Sequence, residues 1–162
     1  MTVCKADRSY TECGTDRDPY LFLRDSYKYA VEDLYSLDYM SADGVLKFSL
    51  YSPADVETAC ARFIQSHWTN KLRITCSGAN WVDVCAVNAG KGEAYALLQE
   101  YLGIPREETI YFGDNMNDLT AFKETGTSYT VANARSEVQH EADVVAASYR
   151  EDGVLGVLKS LL

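Results

Sequence analysis

The most informative part of this sequence is Ile110-Tyr111-Phe112-Gly113-Asp114-Asn115-Met116-Asn117-Asp118. Its first three residues are a short apolar run that predicts a buried strand, and the residues from Asn117 onward predict a helix. Asp114 then lies at the carboxyl end of a strand, where open α/β sheets bind ligands. Because Asp118 follows Asp114 by four residues, both carboxylates can share one face as the helix begins.

The pattern of carboxylates and amides in this stretch is compatible with two kinds of local structure. Two convergent carboxylates with amide side chains between them suit a hard divalent cation such as Mg²⁺. The alternative is a strand-to-helix turn in which the Asp and Asn residues act as turn and N-cap groups. The stretch taken alone leaves both possibilities open.

A second informative feature lies upstream, where Lys91 stands between Gly90 and Gly92. It opens a predicted helix whose apolar residues recur at i, i+3, i+4 and i+7, namely Ala94, Leu97, Leu98 and Tyr101. A lysine in the first helical turn is electrostatically unfavourable, because that end carries partial positive charge. An anion bound there removes the conflict, and the flanking glycines let backbone amides approach it. The alternative is a solvated lysine in a flexible loop.

Taken together, the motifs resemble the haloacid dehalogenase superfamily, specifically its Cof-type phosphatases. The resemblance rests on the two features above and on Ser77–Val84, Ala132-Asn133-Ala134 and Glu151–Val154, whose order and spacing match over roughly residues 45–162. It implies an α/β fold with a Rossmann-like parallel core and an α+β cap portion that carries an antiparallel sheet.

The resemblance also implies a phosphoryl-transfer site with Mg²⁺ as cofactor and a small phosphorylated metabolite as substrate. Asp114 corresponds to the metal-ligating aspartate, and Asp118 to an auxiliary carboxylate that orients the metal's waters and the lysine. Lys91 would neutralise charge on the transferring phosphoryl group. Asn117 would hydrogen-bond the phosphate, and Asn133 would line the site from the next strand-to-loop junction. Such a reaction depends mainly on positioning and charge stabilisation.

The sequence departs from the family at the nucleophile. Family members begin with a strand ending in Asp-x-Asp, whose first aspartate becomes an aspartyl-phosphate. The Asp-x-Asp of this chain, Asp16-Arg17-Asp18, follows a polar stretch and precedes Pro19, which favours a turn. We therefore expect that the nucleophile is not present in this chain, that the chain is the carboxy-terminal portion of a family member, and that it is inactive alone.

A catalytically incomplete module is the alternative to a phosphatase. Such a chain would act only by assembly with a partner or with its missing amino-terminal part. Without the nucleophile strand, Thr109–Phe112 would be an exposed apolar sheet edge, which predicts an oligomer or pairing with that missing segment. A flavodoxin-like nucleotide-binding domain is disfavoured, because no Gly-x-Gly-x-x-Gly follows a strand.

Composition excludes several classes of partner. The 162 residues are 47% hydrophobic and carry a formal net charge of −9. That charge argues against nucleic acid and anionic membranes as partners. No apolar run reaches membrane length and the first residues are no signal peptide, so we expect a cytoplasmic protein.

The periodicity divides the chain near residue 88. Residues 1–88 are predicted to be a partial cap domain, with residues 1–20 irregular or disordered and an amphipathic helix through Tyr27, Ala30, Val31 and Leu34. Alternating strands are predicted at Leu46–Leu50, at Leu72–Cys76 and through Cys85, with a helix opening at Ser52. Residues 89–162 are predicted to be the carboxy-terminal half of the core, with strands near 109–113, 128–132 and 143–146.

Overall fold

The computed structural model describes residues 1–12, 21–53, 56, 62–68, 70–78 and 80–162. The chain separates into two compact units, Met1–Val87 and Asn88–Leu162. Within the described residues, no helix combines the length and the apolar character needed to cross a membrane.

The first unit contains a six-stranded sheet in the order β3-β2-β1-β4-β6-β5. All neighbouring strands are antiparallel except β2 and β3, which run parallel. The strands are β1 (Thr2–Cys4), β2 (Ser9–Glu12), β3 (Val31–Leu34), β4 (Lys47–Tyr51), β5 (Leu72–Gly78) and β6 (Trp81–Ala86), and an α-helix, α1, spans Arg62–Trp68.

The apolar core of this unit forms where β-branched residues of the hairpin β5–β6 meet the helical segment before it. Val56, Val82 and Val84 are buried, and Leu50, Ile64, Leu72, Ile74 and Cys76 pack against them. The three predicted strands β4, β5 and β6 are therefore confirmed. Most of the helix predicted to open at Ser52 lies outside the described residues.

Two predictions for the first forty residues are wrong. Residues 1–12 are not irregular, since β1 and β2 form there, while 13–20 lie outside the described residues. Apart from Val3, the buried positions of these strands are the small polar residues Thr2, Ser9 and Thr11, so the apolar alternation that predicts a strand is missing. Val31–Leu34 is a strand paired with β2, where helical spacing predicted a helix. Pairing with a neighbouring strand here overrides local periodicity.

The second unit is a three-stranded parallel sheet in the order β7-β8-β9. It contains α2 (Lys91–Leu102), β7 (Ile110–Phe112), α3 (Leu119–Phe122), β8 (Thr127–Val131), α4 (Ser136–Glu141), β9 (Val144–Ala146) and α5 (Gly153–Leu161). The register places Ile110 beside Thr127 and Tyr129 beside Val144. Parallel strands bring their carboxyl ends to one edge, so the loops after β7, β8 and β9 meet there. The predicted α/β fold is confirmed.

Helix α2 forms as predicted but packs through a different face. Leu97, Leu98 and Tyr101 of the predicted apolar stripe are 66%, 49% and 86% exposed. The packed face instead carries polar tips: the Tyr95 hydroxyl donates to Ile110 O at 2.9 Å, and Gln99 Nε2 donates to Glu124 O at 2.9 Å. These bonds satisfy backbone carbonyls beside the sheet, which apolar side chains could not do.

A side-chain bridge joins the starts of β8 and β9. The amide and the hydroxyl of Ser128 both donate to Asp143 Oδ2, at 2.8 and 2.6 Å. These two bonds hold the pKa of the Asp143 carboxyl below its ordinary value. The bridge aligns β9 with β8 and so helps to set the edge at which the loops converge.

Candidate functional site

The candidate site is built around the carboxylate of Asp118, which is 2% exposed. Its Oδ2 accepts hydrogen bonds from the backbone amides of Asp114 and Asn115, both at 3.0 Å. Its Oδ1 accepts one from Lys91 Nζ at 2.5 Å and one from the Tyr111 hydroxyl at 3.0 Å. The carboxylate therefore forms hydrogen bonds with three elements: the loop after β7, the start of α2, and β7 through Tyr111.

Lys91 is the first residue of α2, and its ammonium group forms an ion pair with Asp118. The lysine side chain is 45% exposed while that of Asp118 is 3% exposed. A buried carboxylate thus offsets the unfavourable position of a lysine at a helix amino terminus. The lysine side chain is therefore partly open to solvent, which leaves room for an anion beside it. The alternative of a lysine solvated in a flexible loop does not describe this geometry.

Glycine is required at Gly113 because Asp118 lies too close for any side chain there. A Cβ on Gly113 would overlap Asp118 Cβ, lie 2.7 Å from its Cγ and lie 2.9 Å from Phe122 Cε1. A similar approach occurs at Gly92, where a Cβ would lie 2.6 Å from Thr120 O. The two glycines therefore allow the loop after β7 and the start of α2 to close around the buried carboxylate.

The Asx-rich loop is also a helix cap, as the alternative interpretation of the sequence predicted. Asn115 Oδ1 accepts from the amide of Met116 at 2.8 Å, and Asn115 and Asp118 form a reciprocal capping box. Capping uses only part of Asp118, because Lys91 and Tyr111 bind its second oxygen. The capping interpretation is therefore confirmed, and it leaves Asp118 Oδ1 for contacts with Lys91 and Tyr111.

Tyr111 is a part of this cluster that sequence reasoning missed. The sequence indicates only that Tyr111 belongs to the apolar run of β7, yet its hydroxyl donates a hydrogen bond to Asp118. Burial first, and the charge of Asp118 second, raise the pKa of the Tyr111 phenol, so it is a hydrogen-bond donor at neutral pH. The signal that could have revealed it is the polar tip of a tyrosine two residues before Gly113, since a buried hydroxyl needs a partner.

Asp114 and Asn133 lie at a cleft beyond the ends of β7 and β8. The cleft has a volume of about 390 Å³ and is also lined by Phe112, Tyr129 and Tyr149. The Asp114 carboxylate is exposed, whereas Asn133 Oδ1 accepts from the amide of Tyr149 at 2.9 Å. Both predicted residues therefore line the same cleft. The Oδ1 atom of Asn133 also accepts a hydrogen bond from the loop after β9.

Asn117 lies between the two aspartates, and its Oδ1 is buried without a hydrogen-bond partner among the described residues. A carbonyl oxygen accepts hydrogen bonds only, and so do the oxygens of an ionised phosphate. A phosphate contact would therefore come from the Nδ2 amide of Asn117. Its buried oxygen calls for a separate donor, because an unpaired buried acceptor is costly.

The two candidate metal ligands are not equivalent. Each oxygen of Asp118 already accepts two hydrogen bonds, which leaves it poorly placed for direct coordination. Asp114 has an exposed carboxylate of the hard-oxygen type that Mg²⁺ takes alongside water molecules. No cluster of three or more His, Cys, Asp or Glu side chains suited to a metal occurs within the described ranges. Of the two carboxylates, that of Asp114 is therefore the one open to direct coordination of a cation, and Asp118 could act on a bound cation only through the loop or through water.

The Asp-x-Asp stretch Asp16-Arg17-Asp18 lies outside the described residues.

Comparison with known proteins identifies the family. A family model for haloacid dehalogenase-like hydrolases matches residues 2–158, and the chain belongs to that family. Phosphatase YwpJ of Bacillus subtilis is 33% identical over 91 residues, which cover 56% of this chain and 32% of YwpJ. The resemblance drawn from the motifs is thereby confirmed.

Solved structures agree on the fold. A Eubacterium rectale protein matches with a TM-score of 0.79 and 32% identity, covering 99% of this chain and 60% of that chain. The subclass IIB sugar phosphatase BT4131 matches with a TM-score of 0.77 and 19% identity, covering 99% of this chain and 59% of its own. This chain therefore spans about 60% of the length of these two solved structures, and its match to YwpJ covers about a third of that relative.

Proposed function

We propose that this chain carries the cation- and phosphate-binding half of a Mg²⁺-dependent phosphatase that hydrolyses small phosphorylated metabolites. The observation that carries the proposal is the Lys91–Asp118 ion pair, set beside the exposed Asp114 carboxylate at the carboxyl edge of the parallel sheet. Membership of a hydrolase family supports it, as does the likeness to a relative named as a phosphatase.

In the proposed reaction, the chain's own residues position and neutralise the phosphoryl group. Lys91 directs its ammonium at the phosphate oxygens, and Asp118 holds that ammonium in place. Asn117 donates from Nδ2. Asp114 holds Mg²⁺, which when bound neutralises charge on the phosphate and the nucleophile. Phosphoryl transfer depends chiefly on such positioning and electrostatic stabilisation. The attacking carboxylate is not among the residues placed at the site.

Replacement of Asp114 by Asn tests the metal proposal. We expect the chain to bind Mg²⁺ weakly, since a single carboxylate supplies few of the oxygen ligands that the ion needs. We expect Asp114→Asn to weaken that binding at least about tenfold. Isothermal titration calorimetry measures both affinities. Glu141→Gln, a change of the same chemistry at an exposed acid on α4, is the matched control and should leave the affinity unchanged. Equal Mg²⁺ affinity in wild type and Asp114→Asn would contradict the assignment.

Hydrolysis of p-nitrophenyl phosphate with and without Mg²⁺ separates the phosphatase from the non-catalytic module. We expect negligible turnover by this polypeptide alone, because loss of a covalent nucleophile lowers rates by about three orders of magnitude or more. A robust Mg²⁺-dependent rate that persists through purification would refute that expectation and place a nucleophile in the chain. Asp16→Asn would then be the first variant to assay.

We also propose that the chain associates through the free edge of β7. Within the described strands, β7 has β8 as its neighbour on one side and lies at the edge of the sheet on the other. Leu97, Leu98 and Tyr101 add an exposed apolar surface on α2 of the same unit. An uncharged edge with unpaired backbone groups favours pairing with another strand.

Light scattering tests the proposed association. We expect a dimer or larger oligomer, or a complex once the amino-terminal part of the family fold is supplied. A stable monomer whose amides at 110–113 are protected in hydrogen exchange would overturn this expectation.

A further inference from the structure

We propose that Tyr111 is a positioning residue that keeps the Lys91 ammonium available to phosphate. The catalytic consequence of this proposal rests on the function proposed above. The observation that carries it is the shared use of Asp118 Oδ1, which accepts from both Lys91 Nζ and the Tyr111 hydroxyl.

The hydrogen-bond capacity of Asp118 explains what the tyrosine does. A carboxylate oxygen has two lone pairs, and the two backbone amides of the loop use those of Oδ2. Tyr111 uses one lone pair of Oδ1 and leaves one for Lys91. Asp118 can therefore engage Lys91 through one N–H only, and two of the three ammonium donors stay uncommitted to that carboxylate. If the Tyr111 hydroxyl were absent, both lone pairs of Asp118 Oδ1 would be available to Lys91, and the ammonium group would lie closer to the carboxylate and away from a bound phosphate.

The tyrosine is itself held rigidly. Its ring packs edge-on against Tyr95, with centroids 5.2 Å apart and an interplanar angle of 80°. It also packs edge-on against Phe122, with centroids 6.1 Å apart and an angle of 72°. Such packing fixes the direction of the hydroxyl, so little ordering entropy is lost when it bonds Asp118. Tyr111 and Lys91 reach Oδ1 from different elements, β7 and α2, and together they fix the rotation of the carboxylate.

The chain offers a matched pair of variants. Tyr111→Phe removes the hydroxyl that contacts Asp118, and Tyr95→Phe removes a neighbouring hydroxyl that donates to Ile110 O. Each variant keeps its ring and loses one phenol hydrogen bond, so both should fold with similar stability. A merely structural role for Tyr111 predicts equal behaviour of the two variants at Lys91.

The experiment measures Lys91 directly and phosphate binding separately. In ¹⁵N-lysine-labelled protein we expect Tyr111→Phe to shift the Nζ signal of Lys91, identified by its absence in Lys91→Arg, while Tyr95→Phe leaves it in place. We expect the affinity for inorganic phosphate to fall about three- to tenfold in Tyr111→Phe only. Equal Nζ signals and equal phosphate affinities in both variants would overturn the proposal.

The two measurements separate this inference from the proposed function. If wild-type protein binds no inorganic phosphate at any concentration tested, the proposal that phosphate binds at Lys91 is wrong. The Nζ signal still decides the positioning role, because it reports the Lys91–Asp118–Tyr111 contacts without a ligand. An unshifted Nζ signal in Tyr111→Phe refutes the positioning role even if phosphate binds.

Discussion

Asp118→Ala is expected to lower the free energy of unfolding of the second unit by about 3–5 kcal/mol. The change leaves the amides of Asp114 and Asn115 and the Tyr111 hydroxyl, whose hydrogen bonds are partly buried, without an acceptor. Each unsatisfied buried donor costs about 1–3 kcal/mol. The contribution of Lys91 is smaller, because its side chain is 45% exposed and water can replace the carboxylate there. Urea unfolding followed by the amide NMR signals of β7 and β8 measures the loss.

Asp114→Ala is the control for this prediction. It removes a carboxylate four residues away in the same loop, but that carboxylate is exposed. We expect its effect on unfolding to stay within about 0.5 kcal/mol, as for most surface changes. Asp118→Asn should fall between the two, since an amide keeps one acceptor oxygen. Similar losses for Asp114→Ala and Asp118→Ala would show that the buried carboxylate does not organise the loop.

Gly113→Ala is expected to destabilise the second unit by about 3 kcal/mol, at the upper end of the range for overpacking. The added methyl group would overlap Asp118 Cβ and lie 2.9 Å from Phe122 Cε1. The loop cannot move away without breaking the two hydrogen bonds that the amides of Asp114 and Asn115 donate to Asp118 Oδ2. We therefore also expect the Asp114 and Asn115 amides to lose protection in hydrogen exchange.

Gly156→Ala is the matched control for Gly113→Ala. Gly156 lies inside helix α5, and a Cβ there meets nothing within 4 Å. Alanine in a helix interior is favoured over glycine by about 0.5–1 kcal/mol, so this variant should gain stability. If both variants, or neither of them, had a lower free energy of unfolding than wild type, the steric explanation would be wrong.

The failures of sequence reasoning in the first unit have a common physical cause. Thr2, Ser9 and Thr11 are buried although they are polar, so β1 and β2 show no apolar alternation. Thr11 finds its partner on the next strand, where its hydroxyl donates to Asp33 Oδ1 at 2.6 Å. The same pairing makes Val31–Leu34 a strand. Interactions between distant segments cannot be read from local periodicity.

Helix α2 shows how a correct element can be predicted with the wrong buried face. Its apolar residues at helical spacing are exposed, and Tyr95 and Gln99 pack inward through hydrogen bonds to the neighbouring backbone. The hydrophobic pattern of a helix identifies a face that prefers burial. Which face is buried depends on the elements that the described structure places beside it.

The parallel α/β unit, the junction at residues 113–118 and the family could all be predicted from the sequence, because strands, turns and caps of that kind depend on neighbouring residues. The sequence also singled out Lys91, Asp114 and Asp118 as chemically related. The different roles of these three residues follow from their burial and hydrogen bonds in the folded structure. Asp118 accepts hydrogen bonds from four donors, one of them the Tyr111 hydroxyl, and Asp114 is exposed. Burial and hydrogen-bond partners depend on distances across the fold, and those distances are set only when α2 packs beside β7 and the loop that follows it.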